Sequence, residues 1–113
     1  MSPITTHVLD TSQGRPASGV AVLLEAAESE GFRELARGRT DDDGRCRDLL
    51  ADGTPLTRGA YRLTFETGAY FSARGVATFF PRVSIVFEVR EPQQHHHVPL
   101  LLSPFGYTTY RGS

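Results

Sequence analysis

With 113 residues, 39% of them hydrophobic and 22% charged, the chain falls among ordinary globular domains and outside the disordered class. The length suits one domain, residues 1–113, burying roughly two-thirds of its extended-chain surface and leaving no room for two cores. Twelve arginines, with no lysine, are scattered among 13 acids for a net charge of -1, so no basic face for a run of phosphates is expected and no nucleic-acid partner. One cysteine, Cys46, cannot close an internal disulfide, and no Cys/His spacing resembles a structural zinc site. The stretch MSPITTHVLD has neither a charged nor an apolar leader region, and apolar runs such as Val98 to Leu102 are far too short to cross a bilayer. A soluble, cytoplasmic protein that engages no membrane is the expectation.

Short alternating stretches broken by Gly, Pro and Asp predict an all-β chain. Thr5, His7 and Leu9 share one face of a first strand, with Thr6 and Val8 on the other, and Ser12 to Pro16 makes a turn. Val20 to Glu25 places Val20, Val22 and Leu24 on one face. The polar stretch Ala26 to Gly31 connects it to a less regular strand, Phe32 to Arg39. Asp41-Asp-Asp-Gly44 is a strong turn, followed by a short strand from Arg45 to Leu49 and a second turn at Ala51 to Pro55. Tyr61, Leu63 and Phe65 alternate with Arg62, Thr64 and Glu66, the pattern of a strand with one dry face. Gly68 to Arg74 predicts two helical turns, too short to stand alone. Val83, Ile85, Phe87 and Val89 share a face, then come strands at His95 to Leu102 and Tyr107 to Tyr110, joined by Ser103 to Gly106. About eight strands and one short helix fit a two-sheet sandwich.

Four histidines are the first chemical signal, since imidazole is the side chain suited to proton transfer near neutral pH. Three are consecutive, and strand geometry puts His95 and His97 on one face and His96 on the other. Metal ligation together with His7, acid–base work without metal, and a solvated histidine edge all fit this pattern; the lack of a carboxylate or thiolate in company argues against metal. His7 reads equally as a packed, hydrogen-bonded residue. Arg45 reads as a surface ion pair with Asp41 to Asp43 or as a fixed cation for a substrate carbonyl. Cys46 is a small buried apolar residue. The final Tyr110-Arg-Gly-Ser113 is either a frayed end or a polar group docked into a cavity.

Together, several segments resemble the 5-hydroxyisourate hydrolases, transthyretin-like enzymes of urate breakdown. They are Ile4 to Asp10, Gly14-Arg-Pro-Ala17, Asp43-Gly-Arg45, Tyr61 to Phe71, Phe80-Pro81, Phe87-Glu-Val89, His95-x-His-Val-Pro-Leu-Leu101, Ser103-Pro104 and Tyr110-Arg-Gly-Ser113. The match runs through almost the whole chain in order. It implies a sandwich of two four-stranded sheets with one short helix, assembled as a homotetramer with sites in a channel between dimers. It also implies opening of a ring amide of 5-hydroxyisourate with neither metal nor organic cofactor. The family's catalytic pair falls on His7 and His97, its arginine on Arg45, and its C-terminal signature on Tyr110, Arg111, Gly112 and Ser113. Where the family commonly has Tyr in H-Y-H-V-P, this chain has His96, a change expected to alter packing or surface. The mechanism so implied has a neutral imidazole activating water while Arg45 and the tail hold substrate, with Ser113 orienting the water or a histidine. Two other classes remain, a hormone carrier of the transthyretin type and a structural sandwich without a ligand.

Overall fold

The computed structural model covers residues 1–113. In chain order the elements are β1 (Ile4–Asp10), β2 (Arg15–Pro16), β3 (Ala21–Ala27), β4 (Phe32–Arg39), β5 (Arg45–Cys46), β6 (Gly59–Phe65), α1 (Thr67–Ala73), β7 (Val83–Val89), β8 (His96–Ser103) and β9 (Gly106–Thr109). One sheet has the order β4-β3-β6-β7 and is antiparallel throughout. The other has the order β2-β1-β8-β9, with β1 and β8 parallel and β5 also on β1. The expected sandwich is therefore present, with a fifth strand in one sheet: β5 opposite Thr6–His7 and β2 opposite Leu9–Asp10 occupy successive stretches of one edge of β1.

The strand expected over Arg45 to Leu49 stops at Cys46, because Ser2 captures the chain beyond it. The Ser2 amide donates to the Arg47 carbonyl (3.3 Å), and the Leu50 amide donates to Ser2 Oγ (3.1 Å).

Alternation decides which side chains meet between the sheets. Ile4 and Val8 of β1 with Val98, Leu100 and Leu102 of β8 face Val22, Leu24, Leu63, Phe65, Val83, Ile85 and Val89 of the second sheet, all in one buried cluster. Burying a side chain of this kind contributes about 1.5–3 kcal/mol, so the register is strongly specified: a one-residue slip would send every one of these groups to solvent. The helix is seven residues long and has no side-chain N-cap. Its support is tertiary: Tyr70 and Phe71 are buried, Tyr70 donates to Asp10 Oδ2 (2.8 Å), and the Gly68 amide donates to the Pro81 carbonyl (2.9 Å). No helix is long and apolar enough to cross a membrane.

Candidate active site

The register brings the predicted groups onto one face. His7 lies opposite Arg45 on β5, and Thr5 lies opposite His97 on β8. Residues paired across a sheet point to the same side, and so do residues two apart, so Arg45, His7, Thr5 and His97 all line the outer face of this sheet. Thr6, Val8, Val98 and Leu100 point the other way, into the core. The outer face carries these polar groups beside the apolar Leu9, Pro99 and Leu101.

The D-D-D-G turn fixes the Arg45 end. Asp41 Oδ1 accepts from the backbone amides of Asp43 and Arg45 (2.9 Å each), which holds its carboxyl below the usual carboxylate range. Gly44 closes the turn at φ +76°, and a Cβ there would sit 2.3 Å from the Val8 carbonyl, so only glycine fits. Its own carbonyl accepts from the Val8 amide at 2.7 Å, which clamps the turn to β1. The result presents the Asp43 carbonyl to His7 Nε2 at 2.8 Å. A carbonyl only accepts, so His7 carries its proton on Nε2, and in the neutral ring Nδ1 holds the lone pair. The surface ion pair that was one reading of Arg45 is not formed: the carboxylate of Asp41 serves backbone amides, and none of the ion pairs includes Arg45.

His97 is half-buried and its Nδ1 lies 2.8 Å from Thr5 Oγ1. Its Nε2 is the ring nitrogen with no partner inside the chain. Burial, then repulsion between its charged form and His95, Arg45 and His7, pushes its pKa below the ordinary imidazole value. Both effects favour the neutral ring. The tail lies against it: the Gly112 amide donates to the His97 carbonyl (2.8 Å), and a Cβ on Gly112 would stand 2.6 Å from His97 Cδ2.

The other tail residues are less close to this centre. Arg111 donates to Gln94 Oε1 (3.1 Å) and to the His95 carbonyl (3.4 Å). Tyr110 is exposed on the rim of a cavity of about 250 Å³ that His97 and Arg111 also line, together with Phe87, His96 and Thr109. Ser113 is exposed at the chain end.

His96 points inward and is buried, with Nδ1 lacking any hydrogen-bond partner. The position where the resemblance leads to an expected tyrosine is thus an inward-facing, packed one. A solvated histidine edge describes only His95. One group beside His97 was missing from the sequence reading, Thr5, which joins it to His95, its expected same-face neighbour, with a contact of 2.9 Å to His95 Nε2. Its signal was positional, since Thr5 stands two residues before His7 and on the same face. Cys46 is buried, which pushes its thiol pKa up and keeps it unreactive.

Residues 4–112 match the model of the HIUase/Transthyretin family. The chain belongs to that family. It is 48% identical over 117 residues to a 5-hydroxyisourate hydrolase of Caulobacter vibrioides, covering all of both chains. The solved structure of Klebsiella pneumoniae 5-hydroxyisourate hydrolase superposes with a TM-score of 0.83 at 40% identity, over 97% of this chain and 92% of that one. Sea bream transthyretin, solved in complex with thyroxine, superposes with a TM-score of 0.90 at 32% identity, over 98% of this chain and 95% of that one.

Proposed function

We propose that this chain hydrolyses 5-hydroxyisourate to 2-oxo-4-hydroxy-4-carboxy-5-ureidoimidazoline, by attack of water on a ring amide carbonyl. One observation carries the reading. Two imidazoles and a guanidinium share the outer face of a sheet, and each imidazole has one ring nitrogen committed to the chain and the other left free.

Anchored through Nε2–H, neutral His7 offers Nδ1 as the proton acceptor for water. The hydroxide adds to the carbonyl carbon, and the oxygen that gains charge is met by Arg45, which no carboxylate neutralises. The tetrahedral adduct collapses with cleavage of the C–N bond, and the ring nitrogen leaves with a proton returned by an imidazole. His97, whose neutral form is favoured by burial, lies on the same face as His7 and receives or returns that proton. Gly112 holds the tail against His97, from where Tyr110 and Arg111 complete the substrate's binding surface and Ser113 orients the water. No metal or organic cofactor enters this reaction.

The same reading makes the protein a homotetramer with its sites in a channel between dimers. In support, β7 and β9 each form an open edge of their sheet, and Phe79, Val86, Phe105, Tyr107 and Tyr110 are exposed large hydrophobic or aromatic groups. The test is direct: generate 5-hydroxyisourate from urate with urate oxidase and follow its ultraviolet decay. Acceleration by the wild-type protein, lost with His7→Asn or His97→Asn, is expected. A decay unaffected by the protein refutes the activity.

A further inference from the structure

The buried Thr5 hydroxyl has two hydrogen-bond partners, His95 Nε2 at 2.9 Å and His97 Nδ1 at 2.8 Å, and both are imidazole nitrogens. The rings are stacked with centroids 6.2 Å apart. A hydroxyl has one proton and can accept two bonds, but the buried Thr5 hydroxyl has no partner other than these two rings, so its proton goes to one ring and it accepts from the other. With both rings neutral there are two arrangements. In the first, Thr5 donates to His95 and accepts from His97 Nδ1–H, which leaves the lone pair of His97 on the free Nε2. In the second, Thr5 donates to His97 and accepts from His95 Nε2–H, which puts the proton of His97 on Nε2. A cationic His95 permits only the second.

We propose that Thr5 is a positioning residue whose hydroxyl couples His95 and His97 into one proton-sharing unit, so that a proton accepted at His97 Nε2 appears as charge on the exposed His95. The balance is simple. Starting from the first arrangement, His97 Nε2 gains one proton. The Nδ1 proton of His97 passes to Thr5 Oγ1 as the Thr5 proton passes to His95 Nε2. One proton has entered, Thr5 is again a hydroxyl, and the cation has moved from the half-buried ring to the exposed one, where water solvates it. Solvation sets the direction: His97 is half-buried and faced by the cationic Arg45 and by His7, whereas His95 is exposed to water, although the Arg111 guanidinium, bonded to the neutral Gln94 (3.1 Å) and to the His95 carbonyl (3.4 Å), keeps its charge nearby; the N-terminal ammonium is paired with Asp52. The catalytic consequence rests on the hydrolysis proposed above; the coupling itself does not.

The decisive measurement needs no substrate. Nitrogen chemical shifts of the histidine rings, followed by NMR through the titration of His95, report which nitrogen of His97 is protonated. In the wild-type protein the His97 proton is expected to move from Nδ1 to Nε2 as His95 becomes charged. In Thr5→Val and in His95→Gln that movement is expected to vanish, and in Thr5→Ser to return. His95 is exposed, so His95→Gln keeps the test available even if Thr5→Val folds poorly. In the hydrolysis assay Thr5→Val is expected to lower kcat roughly 10- to 100-fold, the range typical of partners that orient a working imidazole, with KM unchanged and Thr5→Ser restoring most of it. A His97 whose protonated nitrogen ignores the titration of His95 overturns the proposal. No hydrolysis by the wild type, with the proton movement intact, overturns only the function.

Discussion

Replacing Gly112 by alanine tests whether the tail and His97 work as one surface. Gly112 is not among the glycines with positive φ, so its backbone accepts an alanine without strain. The obstacle is space. The new Cβ would lie 2.6 Å from His97 Cδ2 and 3.0 Å from Pro99 Cγ, where carbon atoms settle at about 3.5–4.0 Å. Pro99 is buried in a strand and does not give, so the ring or the tail must move by about 1 Å to restore a normal contact. Movement of the tail strains the 2.8 Å bond from the Gly112 amide to the His97 carbonyl, a net contribution of about 0.5–1.5 kcal/mol, whereas movement of the ring displaces the working imidazole itself. Misplacing a reacting group by that distance costs about 10²-fold in rate. Gly112→Ala is therefore expected to lower kcat/KM for 5-hydroxyisourate by roughly 10²-fold while the melting temperature moves by no more than a few degrees. The assay is the ultraviolet decay of substrate made from urate, beside a thermal melt. Wild-type turnover in this variant would show that the tail does not help to place the His97 ring.

The charge at Arg45 acts twice. Arg45→Met is expected to cost about 10²- to 10³-fold in kcat through the unsupported oxyanion. It also removes a positive neighbour from His97, so the acid limb of its pH–rate profile should move upward; a limb that stays in place separates Arg45 from His97. In the wild type, where burial and cationic neighbours lower the His97 pKa, activity that depends on its neutral form should persist below about pH 6.5, the unperturbed imidazole value. His7→Asn and His97→Asn should each reduce turnover by roughly 10²- to 10⁴-fold with little change in melting, and a variant at wild-type speed would remove that histidine from the mechanism. His96→Leu removes a buried nitrogen without a partner, a burden of about 1–3 kcal/mol. Burial first, then Arg111, lowers the His96 pKa in the folded chain, so the unfolded chain binds more protons and wild-type stability falls as pH drops below about 6.5. Urea melts at pH 8 and pH 5.5 should show the leucine variant ahead at both and further ahead in acid; equal midpoints would refute this.

Period-two alternation was enough to find the strands that carry the site, because the sandwich buries one face of each and a buried face leaves a mark in the sequence. It also separated His96 from its neighbours, which the inward position of that ring bears out. What alternation does not contain is pairing. Nothing in the order of residues says that β1 runs parallel to β8, yet that pairing alone sets Thr5 opposite His97 and makes a threonine part of the histidine cluster. The same holds for β5, whose two residues matter only because they lie beside His7. The D-D-D-G turn was legible as a turn, but its carbonyl became a tautomer-setting group only when Gly44 was seen clamped to Val8.

Backbone likeness does not decide between a carrier and an enzyme here. The thyroxine-bound transthyretin superposes more closely than the Klebsiella hydrolase, although the hydrolase is nearer in sequence. A sandwich of this kind offers its outer sheet face to any ligand, and the chemistry belongs to the side chains on it. A carrier for a hydrophobic ligand needs apolar walls, and desolvating imidazoles and an unpaired guanidinium works against its affinity. This chain does the reverse. It spends a turn, a glycine and two backbone carbonyl or hydroxyl contacts on fixing which nitrogen of each imidazole is free, and it leaves Arg45 without a carboxylate. Such control over proton position has no use in passive binding and is what proton transfer requires.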